Sequence, residues 1–197
     1  MNAADYVIEI FHQHLDCTMQ SMEALAPGIA DAAEMMTQSL LNEGKILCCG
    51  EGSAGLLAQH FAAALLNRFQ RERPGLPAIA LSSDAATLTA IASDHSFNEI
   101  FARQVRALAQ PHDILLLVNP GSGSGIALQT LQAAHDRGVH VVVIGPEEDS
   151  DLQSLLLPED LELRIAGNRR GRFVEIALVA INCLCETIEL QLFGAEV

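Results

Sequence analysis

Lys45-Ile46-Leu47-Cys48-Cys49-Gly50-Glu51-Gly52-Ser53-Ala54-Gly55 decides the fold. An apolar run without polar alternation reads as a strand buried on both faces. It ends in glycines and passes into an alanine- and leucine-rich helix running from Ser53 to Glu72. Variants of this unit recur downstream. Leu76–Leu81 reads as a second strand, with helical cover from Ala85 to Ala109. Asp113–Val118 is a third, followed by Gly121-Ser122-Gly123-Ser124-Gly125 and a helix over Ile126–Gly138. Val139–Gly145 is a fourth and Leu161–Ala166 a weaker fifth; a helix from Phe173 to Leu192 follows. Apolar strands separated by helices predict an α/β fold, a doubly wound five-stranded parallel sheet flanked by helices.

Upstream, Val7, Ile10, Phe11, Leu15, Met19 and Met22 recur at helical steps. Ala26-Pro27-Gly28 is expected to break that helix, and a second spans Ile29–Leu41 before Asn42-Glu43-Gly44. The expectation is an N-terminal helical hairpin. Residues 1–43 form an arm for oligomerisation or core cover, ahead of a domain over 44–197.

The 197 residues suit one domain. Half are hydrophobic and only 18% charged, so further surface is expected to be covered in an oligomer. Eleven basic residues against 25 acidic ones give a net charge of −14. Only Arg169, Arg170 and Arg172 cluster, which argues against direct nucleic-acid binding. Five cysteines without a CxxC pair indicate neither a disulfide framework nor structural zinc, and read as core packers. No apolar run approaches the ~20 residues of a membrane span. The acidic N-terminus lacks signal-peptide character, so a cytoplasmic protein is expected.

In doubly wound sheets, ligands bind outside the carboxyl ends of the strands, where strand order reverses. The turns 50–55 and 119–125 lie at such ends and lead into helix N-termini, which favour phosphate. Ser53, Ser83, Asp84, Thr87, Ser122 and Ser124 are the candidate ligand residues. The alternative is that they merely satisfy loop backbone groups. His60 has Ala64 one turn beyond it and no second histidine at i+3 or i+4, so a metal site is not indicated and no cofactor is expected. Leu192 and Phe193, next to Gly194, form a candidate partner anchor, or else cap the core or a subunit interface.

The stretch Lys45–Asp84 resembles the sugar isomerase (SIS) domain family, within it the phosphoheptose isomerases and a relative that associates with the replication initiator DnaA. Asn98–Leu116, Leu155–Ile165 and Ile181–Gly194 extend the resemblance over almost the whole chain. It implies a homotetramer in which the N-terminal helices and the last helix pack between subunits. It also implies a phosphate-binding serine- and threonine-rich turn after the third strand. Here that turn reads Asn119-Pro120-Gly121-Ser122-Gly123-Ser124, with only Ser124 in place, and the serine position of the first loop holds Ala54. Glu51 adds a negative charge; at ~4 Å and an effective dielectric of about 20, like charges repel by about 4 kcal/mol. Pro120 removes a backbone donor.

In the isomerases, a glutamate on the first long helix and a histidine on the last supply acid and base, and join a histidine and a glutamine in binding zinc. The matching positions hold Ala64, Asn182 and Val174, leaving only His60. The expectation is therefore a protein that is not an enzyme and holds no tight zinc. It would be a tetrameric scaffold that binds DnaA through Leu192 and Phe193 and promotes its assembly at the origin by multivalency. The alternative is a phosphosugar-binding protein, or a sedoheptulose-7-phosphate isomerase with a degenerate site.

Overall fold

A computed structural model describes residues 2–121, 125–147, 150–167 and 169–195, with Ser150 and Asp151 as backbone only. Five parallel strands form one sheet: β1 (Ile46–Gly50), β2 (Ala78–Ala80), β3 (Ile114–Val118), β4 (His140–Pro146) and β5 (Leu161–Ile165), in the order β2-β1-β3-β4-β5. Cys48 sits beside Leu116, and Leu116 beside Val142. Alternate residues of each strand enter opposite layers: Ile46, Cys48, Leu116 and Ile144 on one side, Leu47, Cys49, Leu115 and Val143 on the other. Both layers are dry, so both sets of positions are apolar. That is why the strands read as continuous runs.

The first layer is built by α1 (Ala3–Leu41), α2 (Ser53–Leu66) and α7 (Arg170–Phe193). The second is built by α3 (Ala85–Asp94), α4 (Ala102–Leu108), α5 (Gly125–Asp136) and α6 (Ser150–Gln153), with a 3₁₀ turn at Phe97–Glu99. Cys17, Cys48, Cys49 and Cys185 are buried, and burial pushes the Cys48 thiol up to about 12. Such thiols are packing groups, not nucleophiles. Among the described residues no helix is long and apolar enough to cross a membrane.

The expected hairpin is replaced by one continuous helix. α1 runs 39 residues through Pro27, opened by a capping box between Asn2 and Asp5. Gly28 is a packing residue: a Cβ there would come within 2.8 Å of Leu163 Cδ2 on β5. Leu25, Ile29, Ala32, Ala33 and Met36 lie buried along the same face, against α7 and β5. An interior proline costs about 3 kcal/mol. Burying large apolar side chains returns about 1.5–3 kcal/mol each, so the unbroken face outweighs the break. The first half of α1 leaves Tyr6, Val7, Phe11, Leu15, Met19 and Met22 exposed.

Candidate functional site

The chain steps from β1 to β2 on one side and then crosses to β3 on the other, so strand order reverses between β1 and β3. The first glycine turn and the segment after β3 therefore border the crevice where such sheets hold ligands. Gly50 ends β1 so close to α2 that a Cβ would meet Ala54 Cβ at 2.7 Å and Ala54 backbone atoms at 2.8 Å. Gly52 follows with φ +60° as the N-cap of α2, and no side chain caps that helix. Gly50→Ala is expected to push α2 off the strand end and cost about 1–3 kcal/mol by overpacking. Urea denaturation measures it; an unchanged midpoint would show that the turn has slack.

Arg170, one of the three clustered arginines, stands over this turn. Its Nη2 lies 3.5 Å from where a Cβ on Gly52 would be. A positive group thus faces the loop that carries Glu51, which offsets the charge expected to repel an anion there.

The candidate hydroxyl residues have definite local partners. Ser53 opens α2 and is half-buried. Ser83 Oγ donates to the Ala80 carbonyl at 2.7 Å. Asp84 caps α3: Oδ1 accepts from the Ala86 and Thr87 amides at 3.0 and 3.2 Å, and Oδ2 from the Thr87 hydroxyl at 2.6 Å. The Thr87 hydroxyl, followed by these amides, holds the Asp84 carboxyl below its ordinary range. Ser122 and Ser124 lie outside the described residues. A link that the sequence did not suggest joins the first two turns: Ser82 Oγ donates to the Gly55 carbonyl at 3.1 Å, and Gln59 Nε2 to the Ser82 carbonyl at 3.1 Å.

His60 stands two turns into α2, roughly 10 Å along the helix from Ser53. Its Nε2 lies 2.9 Å from Asn182 Oδ1 on α7, and its ring meets that of Phe69 edge-on at 6.4 Å. With the amide oxygen as acceptor, Nε2 carries the proton and Nδ1 keeps its lone pair. Ala64 is buried and Val174 half-buried. One imidazole and one neutral amide do not fit a zinc ion, which takes three or four N, O or S ligands.

The predicted extension of α2 to Glu72 is a second departure: α2 ends at Leu66, and the segment from 67 to 77 is clamped to α7 by Glu189. That carboxylate, 3% exposed, accepts from the Phe69, Gln70 and Arg71 amides at 3.1, 3.2 and 3.4 Å and from Arg73 Nε at 2.8 Å. Arg73 in turn donates to the Leu65 and Ala64 carbonyls. Desolvation pushes the Glu189 carboxyl up, but the amides of Phe69 and Gln70, Arg73, and then the Arg71 amide outweigh it and hold it below the ordinary value. A signal was present: Glu189 continues the buried stripe Ile181–Cys185 at four-residue spacing, and a charge on such a stripe requires a partner. A further cluster joins α1 to α7, where His14 Nδ1 lies 2.8 Å from Glu175 Oε2, which Arg172 also binds.

Of the candidate anchor pair, Leu192 packs against the core. Phe193 is 38% exposed, with the Arg71 guanidinium 5.8 Å above its ring.

Comparison with known proteins bears on both fold and activity. The phosphoheptose isomerase of Chromohalobacter salexigens is 46% identical over 195 residues, 99% of this chain and 99% of that protein. That of Alkalilimnicola ehrlichii is 45% identical over 98% of this chain and 99% of its own. The structure of a phosphoheptose isomerase from Francisella tularensis matches with a TM-score of 0.92 at 38% identity, covering 95% of this chain and 98% of that one. These full-length relatives carry the name of an enzyme. They overturn the expectation of a non-catalytic, DnaA-binding scaffold, which rested on the changes at positions 64, 174 and 182. The family model for the SIS domain matches residues 11–145, reaching back into α1 and across the turn-bearing strands. With the parallel sheet, the reversal between β1 and β3 and the glycine turns beside it, the chain belongs to the SIS domain family.

Proposed function

We propose that the protein interconverts the aldose and ketose forms of a phosphorylated seven-carbon sugar. The observation that carries this reading is the full-length likeness, at up to 46% identity, to proteins named phosphoheptose isomerase. The phosphate would sit at the N-terminus of α2 beneath Arg170, where the open helix end favours an anion. An extended seven-carbon chain with a terminal phosphate is long enough to reach His60 from there.

Isomerisation moves a proton between adjacent carbons through an enediol and needs a positioned base. His60 Nδ1 takes the proton from the carbon next to the carbonyl and returns it to the former carbonyl carbon, while the hydroxyl proton passes between the two adjacent oxygens of the cis-enediolate itself. Asn182 holds the ring by its Nε2–H. With Ala64 unable to supply a second acid or base, one group serves both steps, and turnover is expected to be slow.

Incubation with sedoheptulose 7-phosphate in D2O, followed by proton NMR, tests the reading. Enzyme-dependent interconversion with deuterium entering at the carbon next to the carbonyl is expected; no exchange above a protein-free control would sink it. The setting is proposed to be cytoplasmic, where free thiols stay reduced.

The working unit is proposed to be a homotetramer. An apolar groove of about 430 Å³ between α1 and α7, lined by Met22, Leu25, Ile29, Ile176, Val179 and Cys183, continues the exposed stripe of Phe11, Leu15 and Met19. Contiguous apolar surface of this kind marks protein interfaces. Light scattering should give four times the chain mass, and Phe11→Glu should lower it. A monomer at micromolar concentration would refute the assembly.

A further inference from the structure

We infer that Glu189 is a positioning residue for His60, acting through the backbone it grips and the ring of Phe69. This rests on the reading of His60 as the proton-transfer group. The helix α7 reaches the imidazole by two routes. The direct route is the Asn182 contact at Nε2. The indirect route begins at Glu189, two turns further along the same helix. Its carboxylate takes the successive amides of Phe69, Gln70 and Arg71, and Arg73 Nε donates to the same oxygen as the Phe69 amide.

That clamp fixes the backbone of residue 69, and Phe69 packs against the core, so its ring has a set position. The two rings stand at 80° with centroids 6.4 Å apart, the edge-to-face arrangement that aromatic quadrupoles favour. His60 is otherwise exposed on α2, where an unsupported imidazole would sample several rotamers. A hydrogen bond at one ring nitrogen and an aromatic contact on the ring together select one orientation and leave Nδ1 outside both contacts. Arg71 adds a second tie to the end of α7, its guanidinium donating to the Gly194 carbonyl and lying over Phe193, but residue 69 itself is held to α7 through Glu189. The clamp also explains why the helix pattern stops at Leu66: the chain must turn to present three consecutive amides to one carboxylate.

The test uses the full chain. Glu189→Gln keeps the size of the side chain but loses the charge and one acceptor. Phe69→Leu keeps the clamp and removes the ring. Nitrogen-15 NMR of the imidazole, assigned by its loss in His60→Gln, reports whether one tautomer persists. Both variants are expected to move the His60 nitrogen resonances toward the averaged values of a free imidazole. Both are also expected to lower kcat by about tenfold to a hundredfold while KM stays within about twofold. Phe69→Tyr, which restores a ring, is expected to restore both readouts.

Unchanged His60 resonances in folded Glu189→Gln and Phe69→Leu would overturn the inference, even if kcat fell, because a purely structural clamp predicts that result. If Glu189→Gln does not fold, Phe69→Leu decides alone. If the wild-type protein proves to have no turnover, the isomerase reading fails while the NMR comparison still decides the positioning role.

Discussion

Glu189→Ala is expected to destabilise the protein by about 3–5 kcal/mol, the range for removing one partner of a buried ion pair. Side-chain exposure is 1% for Arg73 and 4% for Glu189, so the deletion leaves a guanidinium in a dry site without its counter-charge. It also removes the acceptor of the Phe69, Gln70 and Arg71 amides, which sit in half-buried or exposed residues where water replaces part of what is lost. Chemical denaturation at pH 7 measures the effect; a loss below about 1 kcal/mol would show that water takes over the clamp.

The same pair predicts a pH dependence with a definite sign. The Glu189 carboxyl lies below its ordinary value in the folded state, so between the two values the unfolded chain binds more protons. The contribution is therefore fully present above the unfolded pKa of about 4.3 and is lost as pH falls through the folded value. Glu189→Gln should flatten that acid limb. Parallel acid limbs in the two proteins would exclude the clamp as its source.

His60→Gln is expected to lower turnover by about 10²- to 10⁴-fold, the usual contribution of a positioned proton-transfer group. His60→Gln loses the edge contact to Phe69 and one exposed hydrogen bond, so stability should fall by only about 1–2 kcal/mol, which separates the catalytic loss from a folding defect. Asn182→Ala removes the direct hold on the ring at Nε2, so a loss of about tenfold to a hundredfold in kcat with little change in KM is expected, as for loss of the Phe69 ring. Turnover by His60→Gln within about threefold of the wild type would remove the imidazole from the mechanism. The Glu175–His14 pair would then be the next base to test.

The core strands were legible because burial on both faces leaves no polar residue in Ile46–Gly50 or Ile114–Val118, and glycine after each strand marks where a helix must begin. The pattern put two glycine turns at strand ends, and the strand order in the fold is what places the reversal between β1 and β3 beside them. The side chains at 64, 174 and 182, taken one at a time, argue against an enzyme, whereas the likeness of the whole chain runs to proteins named phosphoheptose isomerase and overturns that expectation.

Pro27-Gly28 read as a break because local propensity is all that a short window contains. In the fold, Leu25, Ile29 and Met36 bury against α7 and β5, and Gly28 lets the helix approach Leu163. Arg68 to Glu72 read as helix because nothing nearby forbids it. What ends the helix is Glu189, more than a hundred residues away. His60 meets Asn182 across 122 positions of chain, and Arg170 reaches Gly52 across the end of the sheet. Periodicity and glycine placement, local properties of the chain, determined the layers and put glycine turns at the strand ends. The unbroken first helix, the clamp and the setting of the imidazole were decided only by the tertiary structure, because each rests on a contact between segments that meet only once the sheet has formed.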